Sequence, residues 1–210
     1  MIRLMGQRRR VAEYKTPTLV GTPTTGTTTS VAITGEDVGH FILINAQRSS
    51  ASLPGIGAGW TDIAALGIAQ SDVSQRVGWM IADTNAEVSD TWASARRMIA
   101  LILSDVHPST PIVDAQPAQG SGTTINFPAL TLGGLPVRLI RCVNLRGDSA
   151  QTITMPAGLG TEYTVASGGN GRSTLAMSPG LVTSVGAATG AQSAAGNWVS
   201  WSIGILGAPL

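Results

Sequence analysis

Apolar and polar residues alternate with a period of two along several short stretches of this chain. The alternation is regular in Thr152–Met155 and Trp198–Ile203, and it indicates β-strands that have one solvated face. Glycine, asparagine and aspartate cluster between the apolar stretches, where they favour tight turns. The sequence therefore predicts strands over Ser30–Thr34, His40–Ala46, Arg76–Ala82, Arg97–Ser104, Thr123–Phe127, Pro136–Val143, Gln151–Met155, Glu162–Ala166, Ser173–Met177 and Trp198–Leu206.

Helices are predicted to be a minor part of the structure. Two segments, Asp62–Gln70 and Ala86–Ala95, also suit a short helix, and we expect one of them to be helical. Residues 16–30 carry too much proline, glycine and threonine for a helix. The predicted fold class is therefore all-β: an antiparallel β-sandwich with an extended N-terminal arm.

The two halves of the chain show a similar order of features. Phe41–Ile44 is apolar and is followed by the loop Pro54–Gly57, while Val137–Ile140 is followed by Pro156–Thr161. Each half then ends in an apolar strand. Two similar halves of roughly 90 residues fit a jelly-roll-like sandwich, which is built from two Greek-key units.

The predicted domain organisation follows from this repeat. Residues 1–25 form a basic arm, and residues 26–210 form the sandwich domain, with possible halves at 26–107 and 123–210. Two small tandem domains remain an alternative to one sandwich, with Pro108–Gly122 as the linker between them.

The composition indicates an ordered chain without a strong electrostatic field. Of the 210 residues, 43% are hydrophobic and only 12% are charged, and the net charge is +1. A disordered chain would have low hydrophobicity and high net charge. A field that attracts polyanions in general is not expected, so nucleic acid is an unlikely partner.

The basic residues of the first fifteen positions are candidates for docking on a partner. They are Arg3, Arg8, Arg9, Arg10 and Lys15, and Lys15 is the sole lysine of the chain. The guanidinium group binds carboxylates through two parallel hydrogen bonds. We therefore expect these residues to pair with acidic groups on a neighbouring protein, although contact with DNA and a solvated tail are alternatives.

No pattern in the chain indicates catalysis, a cofactor or a metal site. The lone Cys142 lies in an apolar run, where a buried and unreactive thiol is expected, and His40 and His107 are far apart. An enzyme that cleaves polysaccharide would need a carboxylate pair, which sequence spacing does not reveal. No apolar run is long enough for a transmembrane helix, and no secretory signal is recognisable.

Five tryptophans make a carbohydrate-binding surface a second hypothesis. Trp92 and Trp198 are the candidate glycan contacts, because each lies in a polar, small-residue stretch. Trp198 and Trp201 are three residues apart, so they point to opposite faces of a regular strand. One of these two is therefore expected in the core.

The order of loops and strands in the first half is specific enough to compare with known families. It consists of a Thr/Gly-rich lead over Val20–Ser30, a strand over Phe41–Ala46, a loop from Leu53 to Thr61, and strands over Arg76–Asp83 and Arg97–Ser104. This order resembles β-sandwich proteins of the structural-gene modules of tailed bacteriophages and prophages, described as minor tail or virion-associated proteins. The resemblance covers residues 18–206, and the basic segment 1–15 departs from it.

The resemblance implies a non-enzymatic structural protein of the virion, assembled in the host cytoplasm. Such a protein would be a tail, baseplate, collar or head-decoration component that forms homo-oligomers and contacts other virion proteins. The alternative that it leaves open is a carbohydrate- or receptor-binding module on the particle, with a host-surface glycan or receptor as partner.

Overall fold

The chain forms a β-sandwich of two antiparallel sheets. The computed structural model describes residues 13–146, 151–166 and 171–210. Over these residues the only helical element is a 3-10 turn at Ala64–Leu66. The strands are β1 (Thr18–Leu19), β2 (Thr24–Gly26), β3 (Phe41–Arg48), β4 (Thr61–Asp62), β5 (Ile68–Gln70), β6 (Val73–Ile81), β7 (Arg97–Ser104), β8 (Ile112–Phe127), β9 (Val137–Leu145), β10 (Ile153–Thr154), β11 (Glu162–Ala166), β12 (Arg172–Val182) and β13 (Ala188–Leu206).

Each sheet is built from one half of the chain. In the first sheet the order is β1, β7, β3, β6, β4, with β2 also beside β7 and β5 also beside β6. In the second sheet the order is β10, β13, β9, β12, β11, and β8 also pairs with β13. The predicted all-β sandwich is confirmed. The two similar halves are the two sheets, and the chain passes between them once, at residues 105–111.

The two sheets share one strand order when their strands are matched along the chain, except for the short strands β4, which pairs with β6, and β10, which pairs with β13. β3 corresponds to β9, β6 to β12 and β7 to β13, while β1 and β2 together correspond to β8, and β5 corresponds to β11. The contacts between the two sheets follow the same correspondence. β7 faces β12, and the equivalent pair is β13 facing β6. Likewise, β2 faces β11, and the equivalent pair is β8 facing β5. An approximate twofold axis therefore passes between β3 and β9.

The central core lies between the sheets and takes residues from both. Its buried side chains include Phe41, Leu43, Leu101, Ile140, Cys142, Trp201 and Ile203. Strand β3 is buried on both faces, because Ile42 and Ile44 pack into a second cluster on the outer face of the first sheet. This explains why β3 is a continuous apolar run and not an alternating one.

Three segments differ from their predicted structure. Ser30–Thr34 is not a strand, and neither Asp62–Gln70 nor Ala86–Ala95 contains an α-helix, so the expectation of one helix was wrong. Asp62–Gln70 instead ends β4, makes the 3-10 turn and forms β5. Ala86–Ala95 crosses the outer face of the first sheet as a loop, where Trp92 and Ala95 are buried. Tertiary burial of these side chains overrides the weak local preference for a helix.

The segment predicted as a linker is mostly strand, and the first and last described residues of the chain meet beside it. Residues 112–122 of Pro108–Gly122 belong to β8. Residues 13–15, 105–107 and 207–210 lie side by side, and we call this the terminal seam. The N–H of Lys15 donates to Ala208 (2.8 Å), and the N–H of Ala208 donates to Asp105 (2.7 Å).

The described part of the predicted arm lies on the sandwich. β1 and β2 add to the free side of β7, so residues 18–26 belong to the first sheet. None of the helical structure in the described residues is long and apolar enough to span a bilayer.

Candidate functional site

The predicted docking residues fall into two groups. Arg3, Arg8, Arg9 and Arg10 lie outside the described residues. Lys15 lies in the terminal seam, where its Nζ is 3.0 Å from Oδ1 of Asp105 in the same chain. Both side chains are roughly half exposed, at 48% and 38%. The one described member of the predicted docking set is therefore already paired within the chain.

The predicted glycan contacts are core residues. Trp92 is completely buried and Trp198 is 2% exposed. Trp92 packs on the outer face of the first sheet, with its Nε1 donating to the carbonyl of Ser89 (2.9 Å). Trp198 packs with Phe127 on the outer face of the second sheet. Because protein covers both rings, the structure leaves neither of them available to stack on a sugar.

Trp201 and Trp198 do point to opposite faces of β13, as their spacing predicts. Trp201 lies in the central core and Trp198 in the outer cluster. Both faces of this strand are covered, so the opposite orientation leaves neither ring exposed.

A buried polar network occupies the approximate twofold axis. Asn45 on β3 and Asn144 on β9 donate to each other's amide oxygen, at 3.0 and 3.2 Å. Trp201 Nε1 also donates to Asn45 (3.0 Å), and Asn144 donates to Gln75 (2.6 Å) and accepts from Ser173 (2.5 Å). All of these groups are inaccessible to solvent. The network aligns the two sheets, since a buried amide needs its partners.

A second buried polar group lies farther along β3, at the end of the sandwich opposite the terminal seam. The guanidinium of Arg97 donates to Oε1 of Gln47 (2.6 Å). Burial, and then the charges of Arg96 and Arg146, lower the pKa of Arg97 to about 10. This end of the molecule therefore has a positive local field.

A polar groove opens on the outer surface at the same end. It is an open cavity of about 410 Å³ lined by Thr27, Thr28, Thr29, Arg48, Ser94, Ala95 and Arg96. We call it the arginine groove. Among the described residues, no carboxylate lies within ion-pair distance of Arg48 or Arg96.

Two neighbouring strands place these arginines side by side. Arg48 ends β3 and Arg96 immediately precedes β7, and the N–H of Arg96 donates to the carbonyl of Gln47 (2.7 Å). Gln47 and Arg97 are paired across the ladder and buried. Since successive side chains on a strand point to opposite faces, Arg48 and Arg96 point outward together.

An open sheet edge is the third candidate surface. β8 has 16 residues and pairs only with β13, so its other side has no partner strand among the described residues. The strand bends at Gly122, whose φ is +103°, and residues beyond it fold onto the outer face of the second sheet. We call the part before this bend, Ile112–Gly120, the open edge.

The open edge carries a single charged residue. Its Asp114 accepts hydrogen bonds from the N–H groups of Ala115 (2.8 Å) and Thr131 (2.7 Å) and from the amide of Gln116 (2.8 Å). Natural proteins often protect an edge strand with lysine, proline or a bulge. The open edge contains two such devices, namely Pro117 and a register shift at Val113, between the paired residues Ile112 and Asp114.

Two further cavities differ in their chemistry. A shallow groove of about 560 Å³ runs between residues 30–33 and 87–91 and includes Glu87 and Asp90. A smaller one of about 240 Å³ lies beside Arg138 and Tyr163. One guanidinium N–H of Arg138 donates to the backbone carbonyl of Pro17 (3.1 Å).

The groups considered for catalysis have structural roles where they are described. Cys142 is a free, buried thiol, and burial raises its pKa well above the usual value. Nδ1 of His107 accepts from the N–H of Thr110 (3.1 Å) and so closes a turn. Within the described ranges, no three histidine, cysteine, aspartate or glutamate side chains are grouped as metal ligands.

The arginine groove was missed by sequence reasoning. Arg48 and Arg96 are far apart in the chain, and only the β3–β7 register brings them together. A usable signal was present, since each arginine adjoins the polar end of a strongly apolar strand.

No protein-family model, curated protein or solved structure matches this chain.

Proposed function

We propose that this chain is a non-enzymatic structural protein of a tailed-phage virion. It serves as a tail, baseplate, collar or head-decoration component and assembles with copies of itself. The observation that carries the proposal is the open edge of β8, Ile112–Gly120. An edge strand presents a row of N–H and C=O groups that can pair with a strand of a second chain.

The composition of the open edge supports a second copy of this chain as the occupant. Its exposed side chains are polar and uncharged, such as Gln116 and Gln119, so two identical strands would not repel each other. The carboxylate of Asp114 is already occupied by three donors. Symmetric pairing of identical surfaces is the commonest way in which soluble proteins form homo-oligomers.

The rest of the chain supports a role in assembly. Its low charge and its strand order along residues 18–206 fit the resemblance to phage β-sandwich proteins. The arginines of residues 1–10 provide further contacts in this proposal, and their partners are acidic groups on neighbouring virion proteins.

The test is the mass of the chain in solution, measured by light scattering over a range of protein concentrations. We expect a defined oligomer. The double variant Gln116→Lys/Gln119→Lys should shift it to the monomer, because lysines on an edge strand repel an identical neighbour. Asn85→Lys/Ala86→Lys is the matched control, since both positions are exposed in a loop outside the open edge.

Two results would overturn the assembly mechanism. One is a monomer at every concentration for the unmodified chain. The other is equal dissociation by the edge variant and the control, because the effect would then come from charge alone. The virion location is tested separately by mass spectrometry of purified particles, where the chain should remain with the particle through a density gradient.

The glycan-binding alternative was based on Trp92 and Trp198 as exposed sugar contacts, and this basis is lost. Trp92 and Trp198 are buried, so a sugar would have to bind elsewhere on the surface. One described surface has suitable chemistry, namely the arginine groove.

A further inference from the structure

We propose that the arginine groove is a binding site for the acidic group of an anionic saccharide. The ligand would carry a carboxylate or sulfate on a sugar ring. The acidic group would lie between Arg48 and Arg96, and sugar hydroxyls would contact the threonines. This inference does not depend on the proposed role in assembly.

Two like charges lie together in the groove. Arg48 ends β3, Arg96 immediately precedes β7, and both follow on from the last ladder pair, Gln47 with Arg97, and line the same groove. Neighbouring like charges destabilise a sheet. Neither has a carboxylate partner among the described residues. An oxyanion between them would replace this repulsion with charge-assisted hydrogen bonds.

A positive field surrounds this end of the first sheet. Arg97 is buried on the face of the sheet opposite the groove, and its pKa is lowered by burial and then by the charges of Arg96 and Arg146. Together with Arg48 in the groove, four guanidinium groups near one end of the sandwich attract anions. The effect is local, because the chain as a whole carries a net charge of only +1.

The rest of the lining is uncharged and mostly polar. Thr27, Thr28, Thr29 and Ser94 supply hydroxyls, and Ala95 is the only apolar residue in the lining. Hydroxyls pair with the hydroxyls of a sugar, whereas a protein segment would be expected to need apolar or aromatic anchors. The volume of about 410 Å³ falls within the usual range for small-molecule sites.

The loop that carries the three threonines is held in place by one backbone and one side-chain hydrogen bond. The carbonyl of Thr29 accepts from the N–H of Trp92 (2.8 Å), and the hydroxyl of Thr28 donates to the carbonyl of Ser30 (2.9 Å). Trp92 is itself fully buried. The lining is therefore preorganised, which reduces the entropy lost on binding.

The test is a titration followed by NMR, including the side-chain Nε–Hε signals of arginine. The probes are digalacturonate and a sulfated disaccharide derived from heparin. Neutral cellobiose, inorganic sulfate and tetraglutamate are the comparisons. We expect an acidic disaccharide to shift the signals of Arg48 and Arg96 at lower concentration than any comparison does.

Variants separate this site from general attraction to a basic protein. Arg48→Gln and Arg96→Gln should each weaken binding of the acidic disaccharide about tenfold or more, as expected for loss of a charge-assisted hydrogen bond. Lys15→Gln removes the same charge near the far end of β7 and should leave binding unchanged. Arg96→Lys keeps the charge and serves if the glutamine variants fold poorly.

The remaining outcomes overturn the proposal. Binding of sulfate as tight as that of the disaccharides would indicate a simple anion site. Tighter binding of tetraglutamate would indicate a site for an acidic protein segment. Absence of binding by both acidic disaccharides, or an equal loss in Lys15→Gln, would remove the site altogether.

Discussion

The two halves of the molecule have the same strand order but cover their outer faces in different ways. In the first half, loops carry Trp60 and Trp92 across the outer face of the sheet. In the second half, the far end of β8 folds back and lays Ile125 and Phe127 on the corresponding face. The outer face of the same sheet arrangement can therefore be covered by loops or by a strand. This is because the free energy of burying apolar surface depends on the area buried and not on the direction of the covering chain.

The centre of the molecule shows the same combination of symmetry and difference. Asn45 and Asn144 occupy equivalent positions and bond to each other. By the same register, Leu101 corresponds to Trp201, and the indole of Trp201 donates to Asn45 only. The two sheets thus share an axis but fill the core around it with side chains of unequal size.

The ends of the two halves differ in chemistry. The register that equates Asn45 with Asn144 also equates Arg96 with Gly196. Glycine has no side chain, so the second half has no counterpart to this arginine. The arginine groove is therefore a feature of one half, which is what a binding site added to a repeated scaffold would look like.

The largest expected effect is on the axis between the halves. Asn144→Leu should lower the free energy of unfolding by about 3 kcal/mol or more, because it leaves buried groups of Asn45, Gln75 and Ser173 without partners. Asn45→Leu should cost less, since it breaks bonds to fewer residues. Urea denaturation followed by tryptophan fluorescence measures both.

The double variant Asn45→Leu/Asn144→Leu tests whether the two amides act as a pair. Its cost should be smaller than the sum of the single variants, because removing both partners leaves fewer unsatisfied groups. Strict additivity would contradict the role assigned to the axis.

An intermediate effect is expected at the terminal seam, where the ends of both halves meet. A Cβ on Gly207 would overlap the carbonyl oxygen of Lys15. Gly207→Ala should therefore lower the free energy of unfolding by about 1–3 kcal/mol, as backbone hydrogen bonds of the seam are lost. Gly186→Ala is the control, because nothing lies within 4 Å of its Cβ position. Equal stability of the two variants would show that the seam does not join the halves.

The smallest effect is expected for the ion pair in the same seam. Lys15 and Asp105 are both partly solvated. Lys15→Ala should change the free energy of unfolding by less than about 1 kcal/mol, as is usual for exposed pairs. Thermal unfolding at low and high salt is the measurement, and a loss as large as that of Gly207→Ala would mean that the charge, and not the backbone, holds the seam.

The fold class and much of the strand pattern could be predicted from the amino-acid pattern alone. Arg97–Ser104 and Glu162–Ala166 have the predicted bounds, because alternation, β-branched residues and flanking turns act locally. The sequence also indicated the internal repeat. The sequence comparison aligned Phe41 with Val137, whereas the strand registers make Phe41 equivalent to Ile140. A strand can be recognised from its own residues. The alignment of two repeats can be fixed only when the pairing of their strands is known.

Which surfaces are available for function depends instead on how distant parts of the chain pack together. Trp92 and Trp198 lie in stretches of polar and small residues, yet the loops and strand ends around them bury both rings. Arg48 and Arg96 each adjoin the polar end of an apolar strand in the sequence, but they come together only through the register of β3 with β7. Burial and adjacency depend on contacts between distant parts of the chain, and local pattern carries little information about them.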